Sequence, residues 1–254
     1  MGTTAVAPAP GGEQAKIGAV GRVFGVLFSP KPTFEDVVRK PSWVLPLLIL
    51  ILCNIAFSIV LANRVDWVAV TQQNIEKNKF AARQMEGMEA AQRDQAISRQ
   101  AMITKYSRYV RGVLGYPFLA IVGSAIYMLA FNLLGGAGVK YSTAFSLATF
   151  AHIPLALHDL FGIPIALLKD PTTINPENVV ASNVGAILGT NAPMWQQALG
   201  STIDVFGIWC MILVAIAFTA TNPKKLTFGK SLGIVLTVYA IFTLIGVGVA
   251  AIFS

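Results

Sequence analysis

Long runs without a single charged residue are what most constrain this chain. A helix must be roughly 20 apolar residues long to cross a hydrocarbon core about 30 Å thick. Residues 43–62 hold no charge, and neither do residues 112–139, within which a span fits at about 113–134. Two more charge-free runs cover 205–222 and 231–254, the latter holding a span at about 231–253. A fifth apolar segment, Tyr141–Leu168, fits a span at about 143–168 and carries His152, His158 and Asp159. The charges fall between these runs. Only 12% of the 254 residues are charged and 55% are hydrophobic, against about 25% charged in soluble domains. Alternation with a period of two is absent, which removes β-sheet as the explanation. The expected fold is all-α: a polytopic membrane bundle of five spans, with both the bilayer and a protein partner to contact.

The connections add an expected domain plan. Residues 1–15 are mostly Ala, Pro, Gly and Thr and lack the apolar content that orders a chain. Residues 16–42 read as an interfacial amphipathic helix followed by a short helix. Ile17, Val20, Phe24, Leu27 and Phe28 share one face, which Lys16 and Arg22 flank, the pattern of a helix lying in the membrane surface. After the break at Ser29–Pro32, Thr33 is the expected N-cap, and Glu35 and Asp36 suit the positive end of a helix dipole. Residues 63–111 are rich in helix formers and lack proline. They read as an extramembrane helical insertion, bending near Gly87, within a membrane domain covering 43–254.

Proline interrupts the third segment at Pro154 and Pro164, so a kink or break is expected there. One kinked span and a span plus a half-helix near Gly162–Leu168 are both open. Five spans put the termini on opposite sides. An N-terminus in the cytoplasm would place nine basic residues on that side and ten on the other. The short basic connection at 222–230 weighs more than the long one. It favours a cytoplasmic N-terminus and an external C-terminus.

Three local patterns carry a family resemblance. Val23-Phe24-Gly25-Val26-Leu27-Phe28-Ser29-Pro30-Lys31-Pro32-Thr33-Phe34-Glu35-Asp36 precedes Pro41-Ser42-Trp43 and the first span. Ala151-His152-Ile153-Pro154 lies in the third segment, and Ile203-Asp204-Val205-Phe206-Gly207-Ile208-Trp209 opens the fourth. Together with five clustered spans they resemble the bacterial branch of the YIP family, over about residues 20 to 250. Eukaryotic members of that family are Ypt/Rab-GTPase-interacting membrane proteins. The resemblance implies a five-span domain in a bacterial inner membrane with a cytoplasmic N-terminus, and Pro154, Asp204, Phe206 and Trp209 as fold-defining positions. It does not imply GTPase binding, because bacteria have no Rab system.

Ionisable groups at membrane depth are costly and so mark candidate sites. His152 and Asp159, seven residues apart, would lie nearly on one face of a continuous helix, as a proton or ion relay would require. The simpler reading has His152 bonded across helices beside Pro154, with Asp159 and His158 near the interface. Asp204 suits an N-cap of the fourth span, and Asn54 and Asn132 suit hydrogen bonds between spans. Gly246 and Ala250 have the small-xxx-small spacing of a helix-packing face, which leaves a second copy of the chain as a candidate partner. Cys53 and Cys210 are isolated within apolar runs, and the two histidines do not make a metal set. No catalytic motif, cofactor loop or metal-ligand cluster is recognisable. The net charge of +7 belongs to loops and not to a nucleic-acid surface. The expected function is a non-enzymatic scaffold or membrane organiser. The alternative is a small transporter or channel using the third span.

Overall fold

A computed structural model describes residues 16–189 and 192–254; the expected tail at 1–15 lies outside the described residues. Eleven α-helices are named here in chain order. They are α1 (Ala19–Phe28), α2 (Pro30–Arg39), α3 (Val44–Arg64), α4 (Trp67–Lys77), α5 (Lys79–Glu86) and α6 (Ala90–Gly135). There follow α7 (Tyr141–Ala151), α8 (Ile153–Leu168), α9 (Met194–Thr202), α10 (Val205–Thr219) and α11 (Phe228–Phe253). No strand occurs among the described residues.

Among the described residues four helical units are long and apolar enough to cross a membrane: α3, α6, the α7–α8 pair over Tyr141–Leu168, and α11. The fourth expected span is different. Its helix, α10, has 15 residues, a length of about 22 Å, which by itself is short of the hydrocarbon core. It is nonetheless central. Val214, Ala215, Ala217 and Phe218 are fully buried, and the Phe218 ring stacks on Phe131 of α6 at 4.2 Å. Phe150 of α7 and Phe34 and Val37 of α2 close the same core.

α6 is a single helix of 46 residues, about 70 Å long. Its first half belongs to the polar connection and its second half to the membrane. Pro117 lies inside it, and Gly136, in the left-handed conformation at φ 62°, ends it. The connection turns at Asn78, whose side chain caps α5, and again at Gly87–Glu89. We call this α4–α5–α6 projection the arm.

The α3–α6–α8 contact is set by missing side chains. A Cβ at Gly112 would come within 2.9 Å of the Ser58 Cβ, and one at Gly162 within 2.5 Å of the Phe57 ring. A second core, with Phe57, Leu61, Trp67, Ala101 and Ala166, joins these helices to the base of the arm. Arg64 fastens the same end of the bundle by donating to the carbonyls of Leu167 and Lys169, both at 3.1 Å.

Candidate functional site

The polar centre of the membrane region lies where α3, α6 and α8 meet. Asp159 is 5% exposed. The Tyr116 hydroxyl of α6 donates to its Oδ2 at 3.1 Å, and His158 Nδ1 lies 3.2 Å from its Oδ1. The His158 ring meets Phe57 and Phe206 edge-on, with centroids 6.1 and 5.4 Å away. Two turns before Tyr116, the Arg108 guanidinium sits 5.7 Å from the Phe57 ring centre, and its buried Nε has no hydrogen-bond partner among the described residues. Asn54 donates to the Arg111 carbonyl at 3.3 Å and so ties α3 to α6. The arrangement is a buried carboxylate with one phenol donor and one imidazole at hand. Among the described residues no group of three His, Cys, Asp or Glu side chains could hold a metal ion.

This set differs from the expected one. A His152–Asp159 relay presumes one continuous helix, but the third segment breaks at His152, between α7 and α8. His152 Nδ1 lies 2.6 Å from the Ala148 carbonyl, one turn back in its own helix. Asp159 pairs instead with Tyr116 and with His158, the histidine that spacing assigns to another face. Pro154 sits in the first turn of α8, where a proline has no helical hydrogen bond to lose. The break therefore precedes it. Pro164 lies inside α8, and Gly162–Leu168 stays part of that helix, not a separate half-helix.

A second break precedes α10. Asp204 caps that helix by accepting from the Gly207 amide at 2.8 Å, and its other oxygen accepts from the Ser182 hydroxyl. The backbone of 182–184 pairs with 203–205, with Val205 N donating to Ser182 O at 3.1 Å and Val184 N to Ile203 O at 3.2 Å. Tyr239 of α11 donates to the Thr202 carbonyl beside this break. Asn132 does not join neighbouring spans. Its amide holds both Val139 N and Val139 O, at 2.8 and 3.0 Å, and so clasps the turn after its own helix. Among the described residues nothing approaches within 4 Å of the place the Gly246 Cβ would occupy, so the Gly246–Ala250 face is open there.

The N-terminal helices hold a buried ion pair that spacing did not reveal. Arg22 and Asp36 have side chains 3% and 2% exposed, with Nη2 and Oδ2 2.8 Å apart. Arg22 also donates to Lys40 O at 2.9 Å and to Ser42 Oγ at 2.7 Å. Asp36 accepts from the amides of Lys16 and Ile17 at 2.8 and 3.3 Å. Burial pushes the Asp36 carboxyl up, but those amides and the Arg22 guanidinium together hold it below its ordinary value. Arg22 thus points inward and does not flank the apolar face. Asp36 serves an ion pair, and Ser29, not Thr33, stands at the N-cap of α2. Val20, Phe24 and Phe28 remain exposed along the outside of α1. The only sequence signal was an arginine on an apolar helix and an acid 14 residues later.

Comparison with known proteins places this architecture. The chain matches the Yip1 domain over residues 24–252. It is 25% identical over 200 residues to the "Membrane protein YknW" of Bacillus subtilis (strain 168), covering 79% of this chain and 78% of that protein. No solved structure matches it. The family resemblance read from residues 23–43 and from the third and fourth segments is correct, and the apolar helices together with this relative make the chain a membrane protein. This chain belongs to the Yip1 domain family.

Proposed function

We propose that this protein is a non-enzymatic membrane scaffold that holds a polypeptide partner on its arm. The arm carries the reading. Between α4, α5 and α6 lies a groove of about 1070 Å³, lined by amide and thioether side chains such as Asn74, Gln92, Gln95, Met85, Met88 and Met102. Amides pair with peptide groups, and flexible methionines repack around different apolar side chains. Thr71, 4% exposed, also lines the groove with a buried hydroxyl that has no hydrogen-bond partner among the described residues. Ile103, Tyr106 and Val110 are exposed farther along α6. Because α6 runs unbroken into the membrane, a partner held on the arm is fixed in distance from the bilayer.

The same reading has five crossings, an N-terminal face in the cytoplasm and a bacterial inner membrane around the bundle. Two contacts support the fifth crossing. The Trp195 amide at the start of α9 donates to Ser254 at the end of α11, whereas the C-terminal end of α10 lines a cleft with Lys31 and Glu35 of α2. Thus α9 and α10 together join opposite faces as one broken span. Photocrosslinking from Met102 and Tyr106 in the membrane tests the scaffold. Discrete protein adducts that vanish when residues 67–88 are replaced by a short linker are expected. Unchanged adducts without that segment would overturn the reading.

A transporter is the second reading, and its support is specific. Two helical units break inside the bundle, at His152 and at Ile203–Asp204, and broken helices with polar groups are how transporters build midplane sites. Proteoliposomes separate the two. Proton-linked flux that disappears in Asp159→Asn favours transport, and its absence in the parent protein removes it.

A further inference from the structure

A cleft of about 660 Å³ opens between α2 and the turn joining α10 to α11. Ile216, Leu226 and Phe228 form part of its lining, and Lys31, Glu35 and Thr227 another. The turn also carries Lys224 and Lys225, both exposed, next to the lining residues Pro223 and Leu226. Lys230 Nζ reaches the carbonyls of Gly135 and Lys225 at 3.4 and 3.5 Å, which draws the end of α6 to this turn. Lys140, at the N-cap of α7, follows a few residues after Gly135.

The charge on this face is not neutralised from within. Among the described residues the ion pairs are Arg22–Asp36 and His158–Asp159. Lys31, Lys140, Lys224, Lys225 and Lys230 therefore have no carboxylate partner among the described residues. Glu35, one turn from Lys31, is half-buried and is the single acid among the described residues lining the cleft.

We propose that this cleft binds an anionic phospholipid from the surrounding leaflet. Its phosphate sits against Lys31, Lys224 and Lys225, and an acyl chain lies along Ile216, Leu226 and Phe228. Charge complementarity carries the choice of ligand, because basic side chains at a membrane surface gain most from acidic headgroups already concentrated there. The apolar half of the lining suits an acyl chain, which a free phosphate lacks. The inference shares with the reading above only the placement of this face at the bilayer surface. It does not need the arm to hold a partner.

The test uses the full chain in phosphatidylcholine nanodiscs, with and without added phosphatidylglycerol, and native mass spectrometry to count retained lipid. The parent protein is expected to retain phosphatidylglycerol over phosphatidylcholine. The triple variant Lys31→Gln/Lys224→Gln/Lys225→Gln should weaken that preference by on the order of 100-fold. The arm control Lys77→Gln/Lys79→Gln should leave it intact. Phe228→Ser should weaken lipid retention with every lysine in place, which keeps the proposal open to refutation if the triple variant fails to fold. Equal phosphatidylglycerol retention by the parent and a folded triple variant overturns it. Displacement of the lipid by an equal concentration of inorganic phosphate overturns it as well. Loss of arm adducts in the crosslinking experiment would leave this result unaffected.

Discussion

Replacing Arg22 with methionine should release α1 from α2. The change removes the 2.8 Å ion pair with Asp36 and the hydrogen bonds to Lys40 O and Ser42 Oγ. It leaves Asp36, 2% exposed, with only the backbone amides of Lys16 and Ile17. Breaking a buried pair from one side costs about 3–5 kcal/mol, because the remaining charge stays desolvated. Replacing both partners with apolar side chains is often near neutral, so Arg22→Met/Asp36→Leu should recover much of the loss. Limited proteolysis within residues 16–42, run alongside thermal unfolding in detergent, reads the effect. The pH dependence has a definite sign. The folded carboxyl of Asp36 titrates below its ordinary value of 3.8, so between the two the unfolded state binds more protons. The contribution is complete above the unfolded pKa and is lost as pH falls through the folded one. Protease resistance of this pair should thus hold at neutral pH and fail only in acid below about pH 4. Unchanged resistance in Arg22→Met, or a double variant no better than the single, refutes the reasoning.

Gly162→Ala should destabilise the protein by about 1–3 kcal/mol, the range for overpacking, since its new methyl would meet the Phe57 ring at 2.5 Å. Gly246→Ala, with nothing within 4 Å among the described residues, should be neutral or stabilising by up to about 1 kcal/mol, since alanine is the better helix former; equal melting shifts for the two would contradict the packing described. Tyr116→Phe removes the phenol donor to Asp159, a hydrogen bond worth about 0.5–3 kcal/mol across neutral and charged acceptors, and denaturant titration in detergent would register the loss. Asn132→Leu frees both backbone groups of Val139. Hydrogen exchange at residues 136–140 should then accelerate while α3 and α11 keep their protection.

Much of the plan was legible in the sequence for one reason: the bilayer is a solvent that reads length and charge. Residues 43–62 and 113–134 lie within α3 and α6 apart from Trp43, and 231–253 lies within α11, because an apolar run in lipid must satisfy its backbone within the helix. Family membership was readable too, since residues 23–43 and 203–209 form distinctive local strings. Pairing was not. Which acid meets which base depends on how helices far apart in sequence are set against each other. Tyr116 and Asp159 are 43 residues apart, and Arg22 and Asp36 sit on two helices joined by a sharp turn. Periodicity along one continuous helix linked His152 to Asp159, and the break at His152 removed that link. Sequence length also named 205–222 as a single span, whereas tertiary contacts at Ser182, Asn183 and Tyr239 cap and frame a shorter helix. The sequence by itself determined that helices cross the membrane and where most of them run. The tertiary structure alone decided which polar groups they bury together, because burial is a property of the assembled bundle and not of any one helix.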